Sequence, residues 1–231
     1  HHLDVYAHGH NNDGIDLEMT QHAVVENCVF NQGDDAVVLK AGRNQDGWRL
    51  NMPTQDIVVR NCEIVQGHCL LGIGSEMSGG VRRIYMHDCN SSDQVYRLFY
   101  IKTNHRRGGF IEDVTVENVS ATKMLRVFEI DTDVLYQWRD IVPTFETKIT
   151  HIGNIPIRNA RAAEADAIYE LSGDSRDPID GVTIENVHVG ELHKFLTNVN
   201  NVRNITTKNV TYDKFSASEN GLNISGIAPG R

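Results

Sequence analysis

Two adjacent aspartates, Asp34 and Asp35, stand in the stretch NQGDDAVVLKAG between a glycine and an apolar run. Aspartate has a poor β-propensity, so a pair of aspartates at the mouth of a predicted strand needs a reason other than strand formation. A solvated loop and a catalytic carboxyl pair are both compatible with this stretch alone. Carboxyls in one groove raise each other's proton affinity, so one can stay protonated as an acid while another stays ionised.

Three further residues, Asp13, His68 and Lys102, supply the side chains that would complete such a site. A protonated carboxyl beside a carboxylate that activates water is the pair that glycoside hydrolysis requires. A histidine can orient or tune the acid, and a lysine can pair with a carboxylate of the substrate. These residues are far apart in the sequence, so they can act together only if the fold stacks them.

The chain contains a repeat that could stack them. Six segments share a short β-branched run, a polar residue, Asn or Asp, and then Cys or Val: HAVVENCVF, QDIVVRNCEI, VRRIYMHDCNS, IEDVTVENVSA, IDGVTIENVHV and NVRNITTKNVTY. The repeat positions are Cys28, Cys62, Cys89, Val119, Val187 and Val210, and IPIRNARA adds Ala160. Intervals of 23 to 41 residues are too irregular for ankyrin or tetratricopeptide arrays. Short strands between Gly, Asn and Asp turns indicate a β-solenoid instead.

We therefore predict an all-β fold, a right-handed parallel β-helix that forms one domain over residues 1–231. Successive coils stack about 4.8 Å apart, so Cys28, Cys62 and Cys89 should form an inward-facing column of buried free thiols rather than disulfides or a metal site. The alternative fold, a β-sandwich, predicts two-residue hairpin turns, but Asn-Gly occurs only at 220–221. The one helix-like stretch, IPIRNARAAEADAIYEL, contains a copy of the repeat and is predicted as a strand.

Counting residues from the cysteine column predicts where the polar residues lie on each coil. Asp34 follows Cys28 by six residues, and His68 follows Cys62 by the same offset. Equal offsets on neighbouring coils place side chains on one face of a solenoid. Lys102 can reach that face one coil further on, and Asp13 precedes Asp34 by 21 residues, roughly one short coil. We therefore predict that the five polar residues converge.

Composition narrows the class of partner. The formal net charge of −9 argues against a nucleic-acid partner, and no apolar run approaches the ~18 residues of a membrane span. An acidic polysaccharide would need a locally basic groove on such a protein. Four cysteines without a C-x-x-C spacing indicate neither a disulfide scaffold nor a zinc ribbon.

Four short motifs, taken in their order along the chain, resemble those of one known enzyme family. NNDG (11–14), GDDA (33–36), GHC (67–69) and YIK (100–102) follow the order of N-T-D, G-D-D, G-H-G and R-I-K in family 28 of the glycoside hydrolases, the polygalacturonase family. The flanks VLKAGRNQDGWR, IGSEMSGG and IKTNHRRGG are most similar to bacterial exo-acting members. The resemblance extends over essentially the whole chain and implies a parallel β-helix and a pectin-degrading hydrolase.

The resemblance also implies a role for each residue. Asp34 would protonate the glycosidic oxygen, Asp13 and Asp35 would hold and deprotonate the attacking water, and His68 would maintain the protonation of the acid. The substrate-binding residues would be Asn11, Lys102, Tyr100 and Arg107. The family inverts configuration, which goes with carboxyls roughly 6.5–9.5 Å apart. Neither a metal nor another cofactor is implied.

Three departures from the family motifs bear on the substrate. Asn12 replaces a threonine, Cys69 replaces the last glycine of G-H-G, and Tyr100 replaces the arginine of R-I-K. A phenol cannot reproduce the two-pronged grip of arginine on a carboxylate. Arg97, Arg106 or Arg107 could take over this role, with the HRRGG loop better placed, and Tyr136 could contact sugar.

The expected activity is hydrolysis of α-1,4-linked galacturonic acid from the chain end, by a monomeric protein that is secreted or periplasmic. A related pectic glycan, such as rhamnogalacturonan or a substituted galacturonan, remains an alternative substrate. A polysaccharide lyase and a truncated, non-catalytic pectin-binding solenoid are alternative functions. Asp13 lies near the start of the chain, whereas family members carry several coils before it, so we expect the C-terminal part of a longer fold, without its N-terminal coils.

Overall fold

The computed structural model describes residues 1–134, 146–222 and 224, and these form a parallel β-helix. The elements are β1 (Asp4–Ala7), β2 (Ile15–Glu18), β3 (Gln21–Glu26), β4 (Val29–Gln32), β5 (Val37–Lys40), α1 (Gln45–Leu50), β6 (Thr54–Arg60), β7 (Glu63–Gly74), β8 (Val81–Lys102), β9 (Phe110–Asp131), β10 (His151–Ser172), β11 (Ile179–Leu192), β12 (Thr197–Asn200) and β13 (Val202–Phe215). Every strand pair among them is parallel. A β-sandwich is therefore wrong, because its neighbouring strands run antiparallel.

The repeat positions stack as predicted. The amide after each cysteine bonds to the coil before it: Glu63 donates to the carbonyl of Cys28 at 2.9 Å, and Asn90 donates to that of Cys62 at 3.0 Å. The column continues from Cys89 through Val119, Ala160, Val187 and Val210 by strand register. All four cysteines are buried and free, which confirms the predicted thiols.

The backbone conformation explains why Asn or Asp precedes each repeat position. Each of these residues has a φ of 50° to 56°, in the left-handed region that Asn and Asp tolerate best: Asn27, Asn61, Asp88, Asn118, Asn159, Asn186 and Asn209. The later ones also bond in a column, since Asn159 donates to Asn118 at 3.1 Å and Asn186 donates to Asn159 at 3.1 Å. The recurring Asn or Asp thus bends the chain at the same point of each coil.

Apolar packing fixes the strands that carry the polar residues. In β5, Val37, Val38 and Leu39 are fully buried, and β5 lies between β2 and β7. Asp34 and Asp35 lie just before β5, separated from it by Ala36, while His68 lies in β7 and Lys102 ends β8. The helix-like stretch 155–171 lies within β10, which confirms the predicted strand. In the described ranges, no helix is long and apolar enough to cross a membrane.

Candidate active site

A groove of about 850 Å³ runs along the face onto which β5, β7 and β8 present their polar ends. Seven of the eight residues predicted for the site line this groove: Asn11, Asp13, Asp34, Asp35, His68, Tyr100 and Lys102. Their sequence separations are bridged by the coil register, as the equal offsets from the cysteine column predicted. The predicted convergence of Asp13, Asp34, Asp35, His68 and Lys102 is what the structure shows.

Asp34 and His68 form the first linked pair. The backbone N–H of His68 donates to the carbonyl of Asp34 at 2.9 Å, so the two residues lie on adjacent coils. Their side chains meet at 2.8 Å between His68 Nδ1 and Asp34 Oδ1. The Tyr96 ring stacks on the imidazole at 4.8 Å between centroids and 12° between planes. Sequence reasoning missed Tyr96, which belongs to none of the four motifs.

The Asp34 carboxyl has a lowered pKa. Burial is the largest influence and raises it, but the hydrogen bond and charge of His68, followed by the charge of Lys102, outweigh burial. The contact with His68 therefore favours the ionised form of Asp34.

Asp35 and Lys102 form the second linked pair. Lys102 Nζ lies 2.8 Å from Asp35 Oδ2, and the Asp35 side chain is only 2% exposed. Gly72 makes room for this carboxylate, because a Cβ there would lie 2.8 Å from Asp35 Oδ2. The other oxygen, Asp35 Oδ1, is buried and has no hydrogen-bond partner among the described residues. A buried carboxylate oxygen in this state calls for a donor such as a water O–H.

Asp13 closes the cluster from the preceding coil. Its Oδ1 accepts the backbone N–H of Asp35 at 3.2 Å, and its Oδ2 lies 3.3 Å from Lys40 Nζ. Lys40 also pairs with Asp16 at 2.7 Å. Burial, followed by the charges of Asp35 and Asp34, raises the pKa of Asp13 to about 6, although Lys40 opposes the rise. Sequence reasoning gave Lys40 no role, although it ends the strand that follows the paired aspartates.

Asp34, Asp35 and His68 are close together in the groove. One oxygen of Asp34 and one of Asp35 lie within 4.8 Å of each other, together with a ring nitrogen of His68. Among the described residues, these three side chains are also close enough together to bind a cation jointly. His68 already contacts the Asp34 carboxylate, however, and Lys102 already contacts that of Asp35.

Arg107 does not lie where it was predicted. Its side chain is buried behind the groove, where Nε donates to the Ser75 carbonyl at 2.7 Å and Nη1 donates to Asn44 Oδ1 at 2.7 Å. A third contact, at 3.3 Å, joins it to Glu76. A guanidinium enclosed in this way holds the loop in place and has no face open to a substrate. The sequence did not reveal this because the HRRGG loop carries no signal of which arginine turns inward.

The ring of Tyr100, which lines the groove, packs against a second arginine, Arg97. The Arg97 guanidinium lies 4.3 Å from the centre of the Tyr100 ring and donates to Glu129 at 2.5 Å. Burial raises the pKa of Tyr100, so the phenol stays neutral and can donate a hydrogen bond. Arg97 is thus engaged by Glu129 and does not simply replace the missing arginine. Tyr136 lies outside the described residues.

The lining of the groove carries both charges, not the basic excess expected for an acidic polysaccharide. Its acids are Asp13, Asp16, Asp34, Asp35 and Glu76, and its lysines and arginines are Lys40, Arg43, Arg97 and Lys102. Long-range attraction of a polyanion is therefore weak. Recognition of an acidic substrate has to come from individual contacts.

Comparisons with known proteins agree with one another and with the family that the four motifs resemble. The family model for the glycosyl hydrolases family 28 matches residues 2–212. A probable polygalacturonase of Vitis vinifera is 28% identical over 183 residues, which is 78% of this chain and 36% of that protein. A polygalacturonase of Fusarium fujikuroi is 30% identical over 173 residues, which is 71% of this chain and 42% of that protein.

Solved structures show the same fold. A hyperthermoactive exopolygalacturonase from Thermotoga maritima superposes with a TM-score of 0.77 at 28% identity, covering 89% of this chain and 46% of that one. The family 28 exopolygalacturonase of Yersinia enterocolitica gives a TM-score of 0.71 at 17% identity, covering 93% and 40%, and supports the fold. The chain thus spans less than half the length of each of these four relatives.

Proposed function

Because the chain belongs to family 28 of the glycosyl hydrolases, we propose that it hydrolyses the α-1,4 linkages between galacturonic acid units of pectin. The observation that carries this proposal is the cluster of three carboxyls, Asp13, Asp34 and Asp35, in one groove. Each carboxyl has its own basic neighbour: Lys40 for Asp13, His68 for Asp34 and Lys102 for Asp35. The pKa of Asp13 is raised and that of Asp34 is lowered, and acid–base cleavage of a glycoside requires carboxyls of different proton affinity.

In the proposed mechanism, Asp34 donates a proton to the glycosidic oxygen while Asp13 and Asp35 hold and deprotonate the attacking water. Asp34 is the more accessible of the two adjacent aspartates, and His68 can return a proton to it. The unpartnered Oδ1 of Asp35 supports its role in holding water. Asn11, Tyr100 and Lys102 line the groove beside these residues and are proposed to contact the sugar.

We propose that cleavage releases galacturonate from the chain end with inversion. The flanking sequences and the exopolygalacturonase from Thermotoga maritima support the exo mode. Inversion is proposed from the family alone. Action on a cell-wall polysaccharide goes with a secreted or periplasmic location, which we propose together with a monomeric state.

A related pectic glycan is the second candidate substrate. Tyr100 replaces the arginine of the family motif, and its neutral phenol offers a single hydrogen-bond donor and no positive charge. Such a contact suits a sugar without a carboxylate at this position, as in rhamnogalacturonan.

The test is to incubate the purified protein with oligogalacturonides and with rhamnogalacturonan oligosaccharides and to separate the products by chromatography. Release of monomer from oligogalacturonides is the expected result, with the first-formed anomer read by proton NMR. Asp34→Asn should strongly reduce this release, and Asp213→Asn is its matched control, because Asp213 is an exposed carboxylate on β13. An unsaturated product that absorbs in the ultraviolet would instead identify a lyase. Binding without turnover by the folded protein would identify a non-catalytic solenoid.

Lys40→Met tests the electrostatics of Asp13. Lys40 lowers the pKa of Asp13, so its removal should raise that pKa above the present value of about 6. If Asp13 acts as a base, it must be ionised, and the acidic limb of the pH profile of kcat/KM should move to higher pH.

The control for this change is Lys208→Met, which removes an exposed lysine from β13. Movement of the alkaline limb instead would assign Asp13 as the acid. A profile that matches the wild type would contradict the link between Lys40 and Asp13.

A further inference from the structure

One basic side chain of the groove, that of Arg43, has no assigned role. Arg43 lies between β5 and α1, is exposed and lines the groove beside the three carboxyls. It forms no ion pair or side-chain hydrogen bond with any residue that the structure describes. An arginine in such a position can offer its charge to whatever occupies the groove without first breaking an ion pair with a described residue.

The other lysines and arginines of the lining are already engaged. Lys40 is shared by Asp13 and Asp16, and Lys102 pairs with Asp35. Arg97 donates to Glu129 and stacks on Tyr100. A substrate carboxylate that approached any of these three would have to compete with an acid of the protein. Among the lysines and arginines in the described part of the lining, Arg43 is the one without an acid partner that a substrate carboxylate would have to displace.

The backbone that presents Arg43 is held on both sides. Asn44 donates its N–H to Ser78 Oγ at 2.8 Å, and its side chain accepts a hydrogen bond from the buried Arg107. On the other side, the carbonyl of Gly42 accepts the N–H of Ser78 at 2.9 Å. Gly42 has a φ of +78°, and a Cβ there would lie 2.7 Å from the Cα of Gly47. The side chain of Arg43 is therefore free to bind while its point of attachment is fixed, which reduces the entropy lost on binding.

We propose that Arg43 binds a carboxylate of the galacturonate substrate and supplies the charge that Tyr100 cannot. A guanidinium offers two parallel N–H donors that match the two oxygens of a carboxylate. Buried Arg107 is then a positioning residue, because it holds Asn44 next to Arg43. This proposal rests on the proposed function, and it concerns which residue reads the acid group of the sugar.

The test compares Arg43→Gln with the wild type on trigalacturonate and on its methyl ester, which lacks the charge. Hydrogen bonds to charged groups contribute about 1.5–3 kcal/mol, so KM for trigalacturonate should rise about 10- to 100-fold while kcat changes little. KM for the ester should stay within about twofold. Arg43→Lys should recover part of the loss, since lysine keeps the charge but not the paired donors.

The matched control is Arg49→Gln, which removes an exposed arginine from the end of α1, outside the groove. This variant should behave like the wild type on both substrates. Equal losses on trigalacturonate and its ester, or no loss on either, would overturn the role of Arg43.

Calorimetric binding of trigalacturonate separates this proposal from the proposed function. If the wild type binds trigalacturonate without cleaving it and Arg43→Gln binds at least tenfold more weakly, the role of Arg43 holds and only the catalytic proposal fails. If the wild type neither binds nor cleaves trigalacturonate, both proposals are overturned.

Discussion

Asp34→Asn should lower kcat on oligogalacturonides by about 10²- to 10⁴-fold, the range for loss of a general acid or base. The amide keeps the size of the carboxyl but cannot pass a proton to the glycosidic oxygen. His68 should remain in place, because its backbone N–H still bonds to the carbonyl of residue 34. Unchanged far-ultraviolet circular dichroism and unfolding midpoint would show that the loss is chemical.

Substrates with different leaving groups distinguish a variant that lacks the general acid from one that lacks the general base. The lowered pKa of Asp34 and the raised pKa of Asp13 by themselves favour Asp13 as the proton donor. An aryl galacturonide with a good leaving group needs no protonation, so Asp34→Asn should retain near wild-type cleavage of it if Asp34 is the acid. Asp13→Asn should then be the variant that stays slow and is rescued by azide, which replaces the activated water.

The opposite pattern would exchange the two roles. Rescue of Asp34→Asn by azide, together with fast aryl galacturonide cleavage by Asp13→Asn, would make Asp13 the acid. The roles implied by the family resemblance would then be wrong for this chain, while the three-carboxyl cluster would stand.

Lys102→Met should lower the free energy of unfolding by about 3–5 kcal/mol, the usual cost of leaving a buried charge without its partner. The affected charge is that of Asp35, whose side chain is 2% exposed and whose Oδ2 contacts Lys102 at 2.8 Å. Methionine retains most of the apolar stem, so the loss reports mainly on charge. Urea unfolding followed by circular dichroism measures it, with the midpoint and the slope both compared with the wild type.

The double variant Lys102→Met/Asp35→Asn should recover a large part of this loss, because it removes the stranded charge. Lys208→Met is the control, since Lys208 Nζ also pairs with a carboxylate, that of Glu185, at 2.9 Å but is 68% exposed. An exposed pair contributes about 0–1 kcal/mol. A Lys102→Met protein as stable as Lys208→Met would show that Asp35 is neutral or hydrated in the native state.

The coil ladder and the core of the site could be predicted because they depend on register. In a parallel solenoid, equal offsets from one stacked column place residues on one face, so Cys28 and Cys62 were enough to bring Asp34 to His68. The 2.8 Å contact between these two side chains follows from that register. The Asn or Asp before each column residue likewise follows from a single backbone conformation that repeats.

The arginines could not be assigned from the sequence because their side chains are long and their environment is set by loops. Arg107 was predicted to bind substrate, yet it is enclosed by Ser75, Asn44 and Glu76 from other turns. Lys40 and Arg43 belong to none of the four motifs, and nothing in their local sequence shows that they face the groove. Which cation is already paired is a property of the folded surface, and periodicity carries no information about it.

The stacked column of asparagines has a consequence for how such a protein can diversify. The coil that separates Asn118 from Asn159 is 41 residues long and the coil that separates Asn186 from Asn209 is 23, yet they close with side-chain hydrogen bonds of 3.1 and 2.9 Å. Since each coil returns to the same point, an insertion in one loop is absorbed within that coil and does not displace its neighbours. Lengthening or shortening the loops around the groove is therefore an evolutionary route to new substrates that leaves Asp13, Asp34 and Asp35 where they are.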